Sequence, residues 1–483
     1  MTSPSLLRPL QLALVSLSLI SAALIAACGG AIGSGGTGAA PPAVSGGTVT
    51  GFGSVIIDGL RFDDRSVVTV AEPAPGSEVL AEARMGHRVE VEFDADGNTR
   101  ALRVEASVVG QVTAVSVTGV QAGSFAALGQ TITVNADAAA GPVTQFGAGY
   151  ASALDIRVGD VVEVHGVSTT AGSAQVLQAT RVEKRAASPA YLRVGGLVSG
   201  LGSGAPNRFA LGSLTVDAAA ASITPAGTAL ANGMPVLVFA PVAGLNTLPS
   251  GELLLSASAL RIKTFRNPGR ETYASGFVTQ LDAASGQFEL NGVIVKYSPA
   301  VLSPAGTVLA NGQYVQARGS FAADGSMAAT QVKRRDGKSE PEAELKGTIV
   351  KFDSVANTLQ IRDVAVSLTG TKLEGCPLSG LRDGLFVELE GTLGPTGVTA
   401  KKIECKDEPA SAVIERKGVA NAVDLAGTTF TLTASGKPPV TVHWTAATFF
   451  RSVTPEALNG KTVEVEGTLV NGTIEATKVK VDD

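Results

Sequence analysis

Gly384-Leu385-Phe386-Val387-Glu388-Leu389-Glu390-Gly391 alternates aliphatic and acidic residues between two glycines. Gly460-Lys461-Thr462-Val463-Glu464-Val465-Glu466-Gly467 repeats the pattern, and Val89 and Val91 alternate with Glu90 and Glu92 in the same way. A period of two is the signature of a strand with one buried and one wet face. Stripped to Gly-x-x-Val-x-(Val/Leu/Ala), the motif starts at Gly86, Gly159, Gly233, Gly312, Gly384 and Gly460, at steps of 73, 74, 79, 72 and 76 residues. After each comes Ala-x-(Arg/Lys/Gln)-(Val/Ile), at Ala101, Ala179, Ala259, Ala329, Ala400 and Ala476. A fixed period is the mark of a repeat architecture.

The fourth copy shows one unit. Gly276 to Leu281 reads as a strand. Gln287 to Leu290 and Val293 to Val295 read as a hairpin, because Asn291-Gly292 supplies the positive φ values of a tight turn. Tyr314 to Gly319 and Met327 to Val332 complete five strands with little helix. Five short strands in about 65 residues fit an OB-like barrel. The Ala-x-x-Val spacing departs from plain alternation and implies a bulge or a strand start. The sequence therefore predicts an all-β chain of six tandem small OB-like five-stranded β-barrel domains, at residues 47–105, 109–183, 192–263, 272–333, 343–405 and 414–483. Short polar joints such as Glu183-Lys184-Arg185 and Lys406-Asp407-Glu408-Pro409 suggest beads in a row.

Residues 1–27 read as a secretory signal, with Arg8 ahead of a nearly unbroken apolar run from Leu10 to Ala27. Residues 28–46 are small and uncharged, a flexible tether of roughly 23 Å reach. Within the tether, Gly33-Ser34-Gly35-Gly36-Thr37-Gly38 matches a dinucleotide fingerprint in letters only, with no strand before it and no helix after it. Ile25-Ala26-Ala27-Cys28 resembles the lipobox of bacterial lipoproteins. That resemblance implies a lipid on Cys28 and anchorage to a membrane. Gly29 is not Asp, which by resemblance to enterobacterial sorting favours the outer membrane. Lipobox, tether and tandem strands together resemble proteobacterial lipoproteins built from an OB-like repeat domain of unknown function. The resemblance implies a fold and an envelope location, and it carries no catalytic residues or cofactor.

Other residues limit the chemistry. Net charge is -5 and aromatics are 5% of the chain, so neither phosphate neutralisation nor base stacking is well served and nucleic acid is not expected as a partner. Cys376 and Cys405 lie 29 residues apart, and in an oxidising compartment they pair as a disulfide. His87, His165 and His443 fall at unrelated offsets, so no metal site is expected. Asp336-Gly337-Lys338-Ser339 lacks the earlier glycine of a phosphate loop, and Asp94-Ala95-Asp96-Gly97-Asn98 lacks the closing Glu of a calcium loop. No nucleophile–base pair is visible, so no enzyme is expected; an unrecognised one is the third reading.

Two features exceed background. The third position of the Ala-x motif is Arg103, Arg181, Arg261, Gln331, Lys402 and Lys478. Five cations in register could form a row for an anionic glycan or lipopolysaccharide, or could protect strand edges from pairing. In the third repeat, Leu237 and Phe239 stand where other copies mostly have Glu or Gln. They would dock against a neighbouring repeat or an outside partner, or be covered by residues 240–252. The function expected is that of a non-catalytic, lipid-anchored spacer, scaffold or binding array. The alternative is a binding module for an anionic glycan, lipopolysaccharide or peptide.

Overall fold

The computed structural model describes residues 44–481 apart from 53–54, 63–67, 94–98, 172–173, 186–188, 264–270, 323–324, 336–341, 363, 376, 395–396, 407–412, 435–438, 447 and 471–472. The signal peptide, Cys28 and most of the tether lie outside the described residues, as do Asp94 to Asn98, Asp336 to Ser339 and Cys376.

Local structure follows the sequence pattern closely. Each motif glycine has φ between +80° and +93°, so it turns the chain into the strand that follows. Val387 and Leu389, and Val463 and Val465, are fully buried, while the intervening glutamates face outward. Gln287–Leu290 pairs antiparallel with Val293–Lys296, and Asn291 and Gly292 carry φ of 51° and 83° at the turn between them. The Ala-x-(Arg/Lys/Gln) motif is a bulge. His165 opposes Arg181 but Gly166 opposes Ala179, leaving Thr180 unpaired. Thr330, Lys401 and Thr477 are skipped in the same way. The bulge explains the second glycine of the motif. A Cβ on Gly319 would stand 2.2 Å from the Ala328 carbonyl, and one on Gly467 2.3 Å from that of Glu475.

In the fifth repeat Glu342–Asp353 lies between Thr358–Ile361 and Phe386–Gly394, and Phe386–Gly394 continues to Gly397–Cys405. Val364–Ser367 pairs with Thr358–Ile361 and also runs parallel to Gly397–Cys405, so the coil curls back on itself. The sixth repeat follows the same order.

The expectation of six separate OB-like five-stranded β-barrels is overturned. The chain is all-β, 61% strand and 5% helix, but it forms a β-solenoid of stacked coils. Sheets and cores run from one repeat into another. Val44–Phe52 of the first repeat pairs parallel with Glu271–Asp282 of the fourth. Val108–Gly119 of the second pairs with Tyr191–Leu197 of the third. One core joins the second and third repeats through Phe125, Ile132, Val194, Phe209 and Leu214, and another joins the first and fifth through Phe52, Met85, Leu345 and Ile349. Leu80 of the first repeat packs on the core of the sixth. Units of this size bury only about 60% of their surface alone, so sharing apolar faces gives each a thicker core.

A buried ionic junction as the candidate functional site

Among the described residues, the densest chemistry lies where the first three repeats meet. Glu72 is in the strand Val68–Ala74, and Glu105 follows the strand Thr99–Val104. Across from them the third repeat presents Arg193, Arg261 and Lys263. Arg261 Nη2 is 2.8 Å from Glu105 Oε2, and its Nη1 binds Glu72. Lys263 Nζ meets Glu105 and lies 3.1 Å from Glu90 Oε1. Arg103 pairs with Glu78 and stands 3.6 Å from Glu72 Oε2. The Arg193 guanidinium donates to the Glu72 carbonyl and sits 5.0 Å from the centre of the Phe239 ring.

Burial pushes the Glu105 carboxyl up, but the Lys263 ammonium and the Arg261 guanidinium pull harder and leave it at about 2. Burial and the nearby Glu105 push Glu90 up instead. The charges of Arg261 and Lys263 are held in place by the carboxylates despite desolvation.

Beside this network His87 and His165 stack, ring centres 4.4 Å apart and planes 29° off parallel. Their exposures are 5% and 0%. His87 Nδ1 accepts from the Arg84 amide at 3.1 Å, so its proton is on Nε2, which faces Glu183 Oε2 at 3.8 Å. His165 Nε2 faces Glu163 Oε1 at 3.3 Å, and its Nδ1 lies 3.0 Å from the Glu105 carbonyl. Arg181 holds Glu183 at 2.7 Å and donates to the Met85 carbonyl at 2.9 Å. Thr180, the bulged residue, donates to the Gly86 carbonyl at 2.6 Å. The bulge therefore aims two side chains at the first repeat.

A pH dependence follows. Burial, then the neighbouring His165, hold His87 down at about 4, against about 6.5 for a free imidazole. The opened chain takes up this proton before the closed one does. Stability is therefore complete above about pH 6.5 and falls as pH drops toward 4, by of order 3 kcal/mol. Burial raises Glu163, but His165 and Arg185 outweigh it and leave the carboxyl at about 2. Its share of the stability goes only below about pH 4.5. Protection factors of residues 84–90, which take out the base-catalysed intrinsic exchange rate, should fall by about tenfold or more between pH 7 and 5, and His87→Gln should flatten that limb. Unchanged protection factors in the wild type would contradict the reading.

The five cations anticipated from the sequence are each met by carboxylates. Arg103, Arg181 and Arg261 belong to the junction. Lys402 reaches Glu374 at 2.9 Å, and Lys478 pairs with Glu466. Leu237 and Phe239 are buried, at 0% and 2%. Cys405 is disulfide-bonded. Sequence reasoning missed Glu72, Glu105, Arg193 and the pairing of the two histidines. His87 follows its motif glycine by one residue and His165 by six, so a search for equivalent offsets cannot join them.

Two voids adjoin the junction. A cavity of about 90 Å³ touches Val89, Gly166, Gly195 and Asn291, which come from the first, second, third and fourth repeats, with Glu105 and Lys263 in its wall. An open cleft of about 790 Å³ is lined by Glu72, Glu78, Arg103, Phe239 and Arg261. Among the described residues no group of three or more His, Cys, Asp or Glu is placed to hold a metal.

A family model described as a domain of unknown function (DUF5666) matches residues 109–183, 275–333, 346–404 and 417–480, just over half of the chain. The matches omit the first and third repeats, which supply most of the junction. No curated protein matches the chain. A solved chain titled "drosophila Unr CSD456" is similar at 15% identity, over 44% of this chain and 98% of that one. Its TM-score of 0.19 is too low to carry an argument.

Proposed function

The chain belongs to the family of domains of unknown function DUF5666, and on that footing we propose that it is a non-catalytic, lipid-anchored scaffold of the bacterial cell envelope. The observation that carries the scaffold reading is the junction. Its buried charged groups are engaged with one another across three repeats, and this ties the first repeat to the second and third. The same first repeat shares a sheet with the fourth and a core with the fifth. An array held this way keeps its outer faces at set positions, as a scaffold or spacer requires.

Anchorage rests on Ile25-Ala26-Ala27-Cys28 and the tether behind it. Acyl chains contribute about 0.8 kcal/mol per buried CH₂, so two or three hold firmly. In cells the wild-type chain should sediment with membranes, on this reading the outer membrane, and enter the detergent phase on partition. Cys28→Ala should move it to the aqueous phase. Equal partition of the two chains would remove the anchor from the proposal.

A further inference from the structure

The three central strands of each repeat present an outer face, and comparison of their registers sets the fourth repeat apart. In the fifth repeat Lys346 opposes Glu388, which opposes Glu404; Glu344 opposes Glu390, which opposes Lys402. In the sixth, Lys417, Glu464 and Lys480 form one rung, and Glu466 opposes Lys478. Cations on these faces meet carboxylates of the same repeat: Lys346 is 3.9 Å from Glu388, and Lys480 is 3.4 Å from Glu464.

The corresponding rungs of the fourth repeat are Ser275, Gln316 and Lys333, then Tyr273, Arg318 and Gln331. No position in either rung is a carboxylate. Arg335 extends the face beside Tyr314, its guanidinium 5.7 Å from the ring centre, and Arg318 lies 5.2 Å from that of Tyr273. The flat Arg335 guanidinium, against its ring, can turn N–H edges to an oxyanion. One end of the face is covered: Phe277 and Tyr314 pack on Val167 of the second repeat. There Asp58 of the first repeat, the carboxylate described against this face, receives the Ser275 and Tyr314 hydroxyls. The last strand of the face is open along its length: Gln331 and Lys333 are exposed, and Arg335, beside Tyr314, is half-buried.

We propose that the open last strand on the outer face of the fourth repeat, with Lys333 and Arg335 as its anchoring cations, binds an anionic glycan. Charge complementarity argues for the sign of the partner. The neighbouring Gln331, exposed on the same strand, supplies an amide of the kind that bonds sugar hydroxyls. The inference goes beyond the scaffold reading and does not depend on lipid anchoring.

The test uses the full chain in mild detergent, with heparin as the probe, polyglutamate as an acidic polypeptide and uncharged dextran as control. Lys333→Glu with Arg335→Glu should weaken heparin binding about tenfold or more, since reversing two contact cations removes and opposes part of the salt-dependent attraction. Lys351→Glu with Lys461→Glu makes the same change of net charge on exposed lysines of the fifth and sixth repeats and should cost less than about twofold. Lys333→Gln with Arg335→Gln should show the same loss in smaller measure should the double reversal fail to fold. Equal weakening by both charge-reversed pairs, no binding by the wild type, or tighter binding of polyglutamate than of heparin would each overturn the proposal.

Discussion

Glu105→Ala should destabilise the chain by about 3 kcal/mol, one of the largest losses expected from a single side chain away from the apolar cores. Glu105 is 3% exposed and faces both Arg261 and Lys263. Removing one member of a buried ionic set leaves the others desolvated without their partner, at a cost of about 3–5 kcal/mol. The low end applies because Glu72 still meets Arg261 and Glu90 still meets Lys263. Urea unfolding followed by far-ultraviolet circular dichroism measures the change. Glu105→Gln should fall between alanine and wild type. Glu105→Leu combined with Lys263→Met should recover part of the loss, since apolar replacement of a buried pair is often neutral or better. A loss under about 1 kcal/mol for Glu105→Ala would mean that solvent screens the junction as it does a surface pair.

Leu237→Lys combined with Phe239→Lys should abolish folding of the third repeat and carry the second with it. Val236, Val238 and Ala240 of the same strand fill the core shared by those two repeats. Leu237 and Phe239 point to the other face, where Arg193 covers the Phe239 ring and reaches Glu72 of the first repeat. Truncating a buried Leu or Phe costs about 2–5 kcal/mol each. Two ammonium groups placed among Arg193, Arg261 and Lys263 add repulsion in a site with little water. Together these exceed the whole stability of a typical domain, about 5–15 kcal/mol, or consume most of it. Limited proteolysis should cut throughout residues 109–262 in the variant and spare the sixth repeat, whose core is largely its own. A variant as resistant as the wild type would show that this face is open to an outside partner.

The strands, their inward residues and the bulge were all legible along the chain. Val387 and Leu389 announce a buried face because alternation is a property of the backbone pleat, and Gly319 or Gly467 marks the bulge because only a missing side chain lets two backbones approach so closely. The hairpin at Asn291-Gly292 was legible for the same local reason. The partition into separate barrels was the error. Each copy carries the same alternation whether its outer face meets water or another repeat. Glu90, which sits against Lys263 of another repeat, and Glu388, which lies 3.9 Å from Lys346 of its own, occupy equivalent places in one motif.

The period-two pattern and the glycine conformations are short-range physics, so the all-β character, the six copies and the turn positions could be read without coordinates. The choice of neighbour is long-range. Glu72 and Arg261 meet across 189 residues, Arg181 and Met85 across 96. Which charges are desolvated together, and which apolar faces merge, depends on the packing of whole repeats, and no local periodicity encodes that. The junction, the histidine stack and the shared cores accordingly came into view only in three dimensions.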